Sequence, residues 1–187
     1  MHYGVVSACL GGMVQRRFGM KILAVLLILL SLCGAQSRAA ELVPGSRMAF
    51  FGMHFIDTST EGAYNGTRDD ELQRIEMIDA YIADQFTERG FTFVDLAPVQ
   101  KVIDRTVNTA DCNFCDVLMA RDLGVEYSVV GEVQKVSNLI LAMNIIIRDA
   151  AEGKHIKGMS VEIRGNNDDS WLRGVRYILK NNIFRER

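Results

Sequence analysis

The chain is expected to fold as an α/β (α+β) domain, a mixed five-stranded sheet packed by helices, in the element order β-α-β-α-α-β-β-β-α. Three observations lead there. Met48 to Ile56 is a short run with apolar residues on both alternating faces, which suits a central strand. A stretch of helical period separates it from a second short apolar run, Phe91 to Leu96, as in a crossover between parallel strands. The last third holds three alternating runs divided by short turns, which suits an antiparallel meander.

Residues 1–39 read as a signal peptide, which leaves residues 40–187 as a single domain. Arg16, Arg17 and Lys21 precede a mostly apolar run of eleven residues, Ile22 to Leu32, too short to span a bilayer. Ser37-Arg38-Ala39 places small residues at the positions that favour a cut before Ala40. Met20-Lys21 opens the same basic-then-apolar pattern and is a candidate true start. Two other export readings are open. Cys33 follows Leu30-Ser31-Leu32 like a lipoprotein cysteine, although Leu32 is large for that site. Arg16-Arg17-Phe18 suggests twin-arginine export, against which stands the strongly apolar run behind it.

At 187 residues, with 49% hydrophobic and 24% charged residues and two prolines, the chain can bury one real core. That composition excludes a disordered or collagen-like chain. The formal charge is −2, and removing residues 1–39 takes away four basic residues and no acid, leaving −6. Such a surface disfavours nucleic acid and anionic lipid headgroups as partners. No second long apolar segment follows, so no membrane span is expected in the processed chain.

Within the domain, Met48–Ile56 is the first strand and Asp57 to Gly66 a loop rich in Thr, Ser, Gly and Asn. Thr67 reads as the N-cap of a helix over Asp69–Arg89, with Asp69, Asp70 and Glu71 in its first turn, where acids suit the helix dipole. Its apolar stripe is Leu72, Ile75, Ile78, Ile82 and Phe86, and Gly90 stops it. After the strand Phe91–Leu96, Pro98 suits the first turn of a short helix to Arg105. A loop and a helix over Cys115–Leu123, ended by Gly124, follow. The three meander strands are Val125–Val133, Leu139–Arg148 and Ile156–Arg164, with turns at Ser137-Asn138 and Glu152-Gly153. Asn166 or Asn167 caps a last helix whose stripe is Trp171, Leu172, Val175, Ile178 and Leu179 and whose wet face is Arg173, Arg176 and Lys180.

The chemistry-bearing residues are few. Cys112 and Cys115 form a C-x-x-C pair, for which a structural disulfide, a redox pair and a metal half-site are the three readings. Asp111 and Asp116 flank the pair and disfavour a reactive thiolate. A thioredoxin-like reading lacks its later proline, since Pro44 and Pro98 both lie upstream. His54 and His155 stand alone, so no metal site is assembled. Gly62 and Gly66 lack a phosphate-loop pattern, and no serine has the G-x-S-x-G context. Glu132, Gln134, Arg148, Glu162 and Arg164, with Glu126, are placed to form a polar ladder across one sheet face beside Val130, Ile140 and Ile146. Cross-strand pairing is one reading of that ladder, and a partner surface is the other.

The signal peptide, FFGMHFIDTSTEG, DDELQRIEMI, FVDLAPV, the C-N-F-C pair, VVGEVQKVSNLILAMNIIIRDAAEG and RGNNDDSWLRGVRYIL together resemble a family of uncharacterised exported proteobacterial proteins, of the domain-of-unknown-function kind. The element order is also similar to the N-terminal domain of TolB and to the periplasmic domain of the curli-secretion lipoprotein. These resemblances imply a periplasmic interaction module and supply no catalytic residue. The short hairpin turns do not support a pore.

The expected function is therefore a non-catalytic periplasmic binding or adaptor domain, without cofactor or metal, acting on an envelope protein partner. A thiol or redox accessory protein using Cys112 and Cys115 is the first alternative. A small-molecule sensor domain is the second.

Overall fold

The computed structural model describes residues 41–185, so the signal peptide, the start at Met20 and the lipoprotein cysteine Cys33 lie outside the described residues. The five strands are β1 (Arg47–Asp57), β2 (Thr92–Phe93), β3 (Tyr127–Lys135), β4 (Ile140–Asp149) and β5 (His155–Arg164). They form one sheet in the order β2-β1-β3-β4-β5. β1 runs parallel to β2 and β3, while β3, β4 and β5 pair antiparallel. The mixed sheet and element order follow the sequence expectation. The helices are α1 (Thr60–Asn65), α2 (Asp69–Thr87), α3 (Gln100–Ile103), α4 (Cys115–Asp122) and α5 (Asp168–Ile178), the last running on into a π-helical turn, Leu179–Ile183.

A bulge switches the phase of β1, which is why apolar residues stand at both alternating positions of the strand. The register jumps between Phe50 and Met53, so Met48 and Phe50 face the larger core before the bulge and Met53 and Phe55 after it. Gly52 makes the bulge at φ +80°, a conformation that side chains rarely adopt. Asp79 of α2 fastens it: its Oδ1 accepts the Met53 N–H at 2.9 Å. Burial pushes the Asp79 carboxyl up to about 7, with the Met53 bond opposing the rise.

The larger core lies between one sheet face and α2 with α5. Ile78, Ile82 and Phe86 supply the α2 side, and Trp171, Val175 and Ile178 the α5 side, all fully buried. Each such side chain contributes roughly 1.5–3 kcal/mol by burial. Phe86 is the hub, with its ring 4.8 Å from that of Phe184 and 5.4 Å from that of Phe93. A smaller core on the other face joins Ala49, Ala120, Val125 and Ala150, with Phe51, Val94, Leu96 and Leu123 packed against it. The small residues let α4 sit close to the sheet.

Several boundaries differ from expectation for local reasons. The loop Asp57–Gly66 contains α1, because Ser59 Oγ accepts the Gly62 N–H at 3.0 Å and caps a short helix. The N-cap of α2 is Arg68 rather than Thr67, since the Glu71 side chain reaches back to the Arg68 N–H at 3.0 Å. Pro98 lies within a 3₁₀ turn, Ala97–Val99, followed by the single turn of α3. β2 keeps only two residues. β3 runs two residues past Val133, to Lys135. Asn167 is the cap of α5, accepting the Ser170 N–H at 3.0 Å.

Candidate functional site

Cys112 and Cys115 form a disulfide with their Cα atoms 5.4 Å apart. It closes the loop that leads into α4. Between the cysteines, Asn113 and Phe114 both take positive φ, 54° and 70°. Non-glycine residues rarely sit there, so the crosslink pins a costly turn. The turn carries half-exposed Phe114, whose ring lies 5.5 Å from the Arg148 guanidinium.

The polar residues of the sheet face do not form one ladder. Asp116, buried at the start of α4, accepts Ser128 Oγ at 2.7 Å and Arg148 Nη1 at 2.8 Å. Arg148 is thereby committed beneath α4. Glu132 accepts the Asn108 side-chain amide at 2.8 Å and is held by the loop before the disulfide. Glu162 and Arg164 pair with each other along β5 at 2.7 Å, and both are exposed. Gln134 lies half-buried near the end of β3. The face thus divides. Its β1–β3 half is covered by α4 and the loop before it. On its β4–β5 half, Ala142, Asn144 and Ile146 are half-buried and Ser160, Glu162 and Arg164 exposed.

The most charged cluster was not foreseen. Lys135 is fully buried at the end of β3, with Nζ 2.7 Å from Glu71, 3.0 Å from Asp57 and 3.2 Å from Glu61. Burial alone would push the lysine pKa down. Bonds to Glu71, Asp57 and Glu61 outweigh it, so the net shift is upward. At Asp57, burial pushes the carboxyl up, but the Ser59 bonds and Lys135 prevail and hold it below the ordinary value. Asn166 extends the network, donating to Glu71 at 2.7 Å and accepting from Trp171 Nε1 at 3.0 Å. Arg74 then ties Asp70 of α2 to Asp168 of α5, both at 2.8 Å.

This cluster occupies the carboxyl ends of parallel β1 and β3, where open α/β sheets usually take ligands. Here the protein fills the place with its own cation and carboxylates. Among the described residues, no group of three His, Cys, Asp or Glu side chains is placed to hold a metal ion. His54 lines a groove with Asn108, Asp111 and Cys112, and His155 is exposed at the start of β5. No helix among the described residues is long and apolar enough to cross a membrane.

A family model described as a protein of unknown function (DUF2380), and named DUF3280, matches residues 46–183, which is the sheet and every helix around it. The chain belongs to the DUF3280 family. No curated protein matches it. Among solved structures, this DUF3280 chain is similar to the LpoB C-terminal domain from Salmonella enterica, at 13% identity and TM-score 0.48, covering 74% of this chain and 93% of that one. It is also similar to lipoprotein GNA1162 from Neisseria meningitidis, at 15% identity and TM-score 0.46, covering 73% and 94%. A likeness to TolB from Acinetobacter baumannii has 10% identity and TM-score 0.37, covering 78% of this chain and 30% of that one.

Proposed function

We propose that this DUF3280 chain is a non-catalytic binding or adaptor domain of the cell envelope. It recognises a protein partner through the β4–β5 half of its second sheet face. The reading rests on how unevenly that face is covered: α4 and its disulfide-pinned loop close one half and leave Ala142, Ile146, Ser160, Glu162 and Arg164 accessible. A face mixing apolar and charged groups beside a closed core suits partner binding. The buried ion clusters support it from the other side. Asp116 and Lys135 each spend their charge on internal partners, which is the pattern of a framework and not of a reactive group. The basic-then-apolar leader supports an envelope address.

Charge reversal separates the two halves. Glu162→Lys with Arg164→Glu should weaken partner capture while moving stability by no more than about 0.5 kcal/mol, as for exposed sites. Unchanged capture by that double variant would count against this surface.

A further inference from the structure

We propose that the groove between the edge of β5 and helix α5 binds an extended, acidic segment of a partner protein by strand addition. This rests on the adaptor reading and goes beyond it, since the groove lies on the α5 side of β5, opposite the face that carries Ser160, Glu162 and Arg164.

β5 is an edge strand of ten residues, while the other edge, β2, has only two. The Gly165 N–H bonds Leu139 C=O at 3.1 Å, and antiparallel pairs alternate, so the odd-numbered residues of β5 bond toward β4. The N–H and C=O of Gly158, Ser160 and Glu162 therefore point away from the sheet. The next outward carbonyl, that of Arg164, is taken by Ser170 Oγ at 2.8 Å, which closes that end. The open stretch is the backbone template that strand addition uses.

Beside it lies a groove of about 530 Å³ lined by Met159, Val161, Ile163, Arg173, Gly174 and Tyr177. Gly174 lets α5 pack tightly there, since a Cβ would lie 2.7 Å from Ile163 Cγ2. Tyr177, 53% exposed, gives the groove an apolar wall. Alternate side chains of an added strand would enter this groove and meet apolar surface.

Charge selects the occupant. Arg173 and Arg164 line the groove and Lys180 lies exposed two turns after Arg173, against Glu162, which pairs with Arg164, and Asp169 one turn before Arg173, so the rim keeps a cationic excess. An acidic segment complements that rim. Residues 1–40 carry Arg16, Arg17, Lys21 and Arg38 with no acid, so they do not fit it. A two-fold pairing of β5 edges would set two cationic α5 surfaces side by side, which disfavours a second copy.

The test uses the domain from Ala40 onward and a blocked octapeptide alternating Val and Glu. Titration is followed by amide exchange. Slowed exchange at Gly158, Ser160 and Glu162, at least tenfold weaker affinity for Arg173→Glu, and loss of binding when alternate peptide amides are N-methylated are the expected results. Three results would overturn the proposal: no protection at those amides, equal binding of the Val/Lys counterpart, or protection without peptide that grows with protein concentration. The adaptor reading has a separate readout. If a photo-crosslinker at Ala142 captures a partner while the peptide leaves β5 untouched, strand addition falls and the adaptor reading stands. If neither responds, both fall.

Discussion

Lys135 shows how much one residue can organise. It joins the end of β3 to Asp57 of β1, Glu61 of α1 and Glu71 of α2. Lys135→Met would strand buried carboxylates without their cation, and should cost about 3–5 kcal/mol in chemical denaturation. Adding Asp57→Asn and Glu71→Gln to that variant should recover most of the loss, because the charges leave together. A Lys135→Met protein as stable as the parent would mean that the cluster is solvated and not a core element. Asp79 carries a second residue-scale prediction. Its carboxyl is raised to about 7, so the fold favours the neutral acid. That contribution is full below the ordinary carboxylate pKa and is lost as pH rises toward 7. Asp79→Asn keeps an acceptor for Met53 and removes the titration. Its stability relative to the parent should therefore improve between about pH 5 and about pH 8, and a pH-independent difference would contradict this. Lys135 was hidden in the sequence by a boundary. Reading β3 only to Val133 left the lysine in a turn, although it continues the odd-numbered core phase of Val129 and Val133. Nothing local marks Asp79, whose role depends on a bulge contributed by another element.

At the scale of elements, long periodic segments were legible and short ones were not. α2 and α5 carry apolar stripes and the meander strands alternate, so hydrophobic period marks them, although Leu72 of the expected α2 stripe is half-exposed and Glu71 is buried against Lys135 in its place. α1, the 3₁₀ turns and two-residue β2 are decided by single hydrogen bonds and contacts between distant segments, which pattern does not encode. The polar ladder failed for the same reason: Arg148 turns under α4 to Asp116, an interaction set by the disulfide loop. Arg148→Glu would place two carboxylates together in a closed site and should destabilise by about 3 kcal/mol or more, so it cannot report on binding alone. The disulfide closes a very small ring. Cys112→Ala with Cys115→Ala should still fold and lose at most ~1–2 kcal/mol. A low-pKa, exchange-active thiol in the reduced parent, together with lost function in the double variant, would instead favour the redox reading.

Across its described residues the domain is a two-sided sheet with unequal cover: a large core under α2 and α5, and a small one under α4 that leaves the second face of β4 and β5 the more exposed. The basic-then-apolar pattern of residues 1–39 predicts a processed chain beginning near Ala40, which the intact mass of periplasmic protein checks. A retained leader or a lipid on Cys33 would contradict it. The role of the accessible half is tested most directly by site-specific photo-crosslinking in cells, with the probe at Ala142, Ser160 or, on the exposed side of α2, Asp84. The same partner band from Ala142 and Ser160 and none from Asp84 is expected. A band from Asp84 alone, or from no position, would contradict an adaptor that works through β4 and β5.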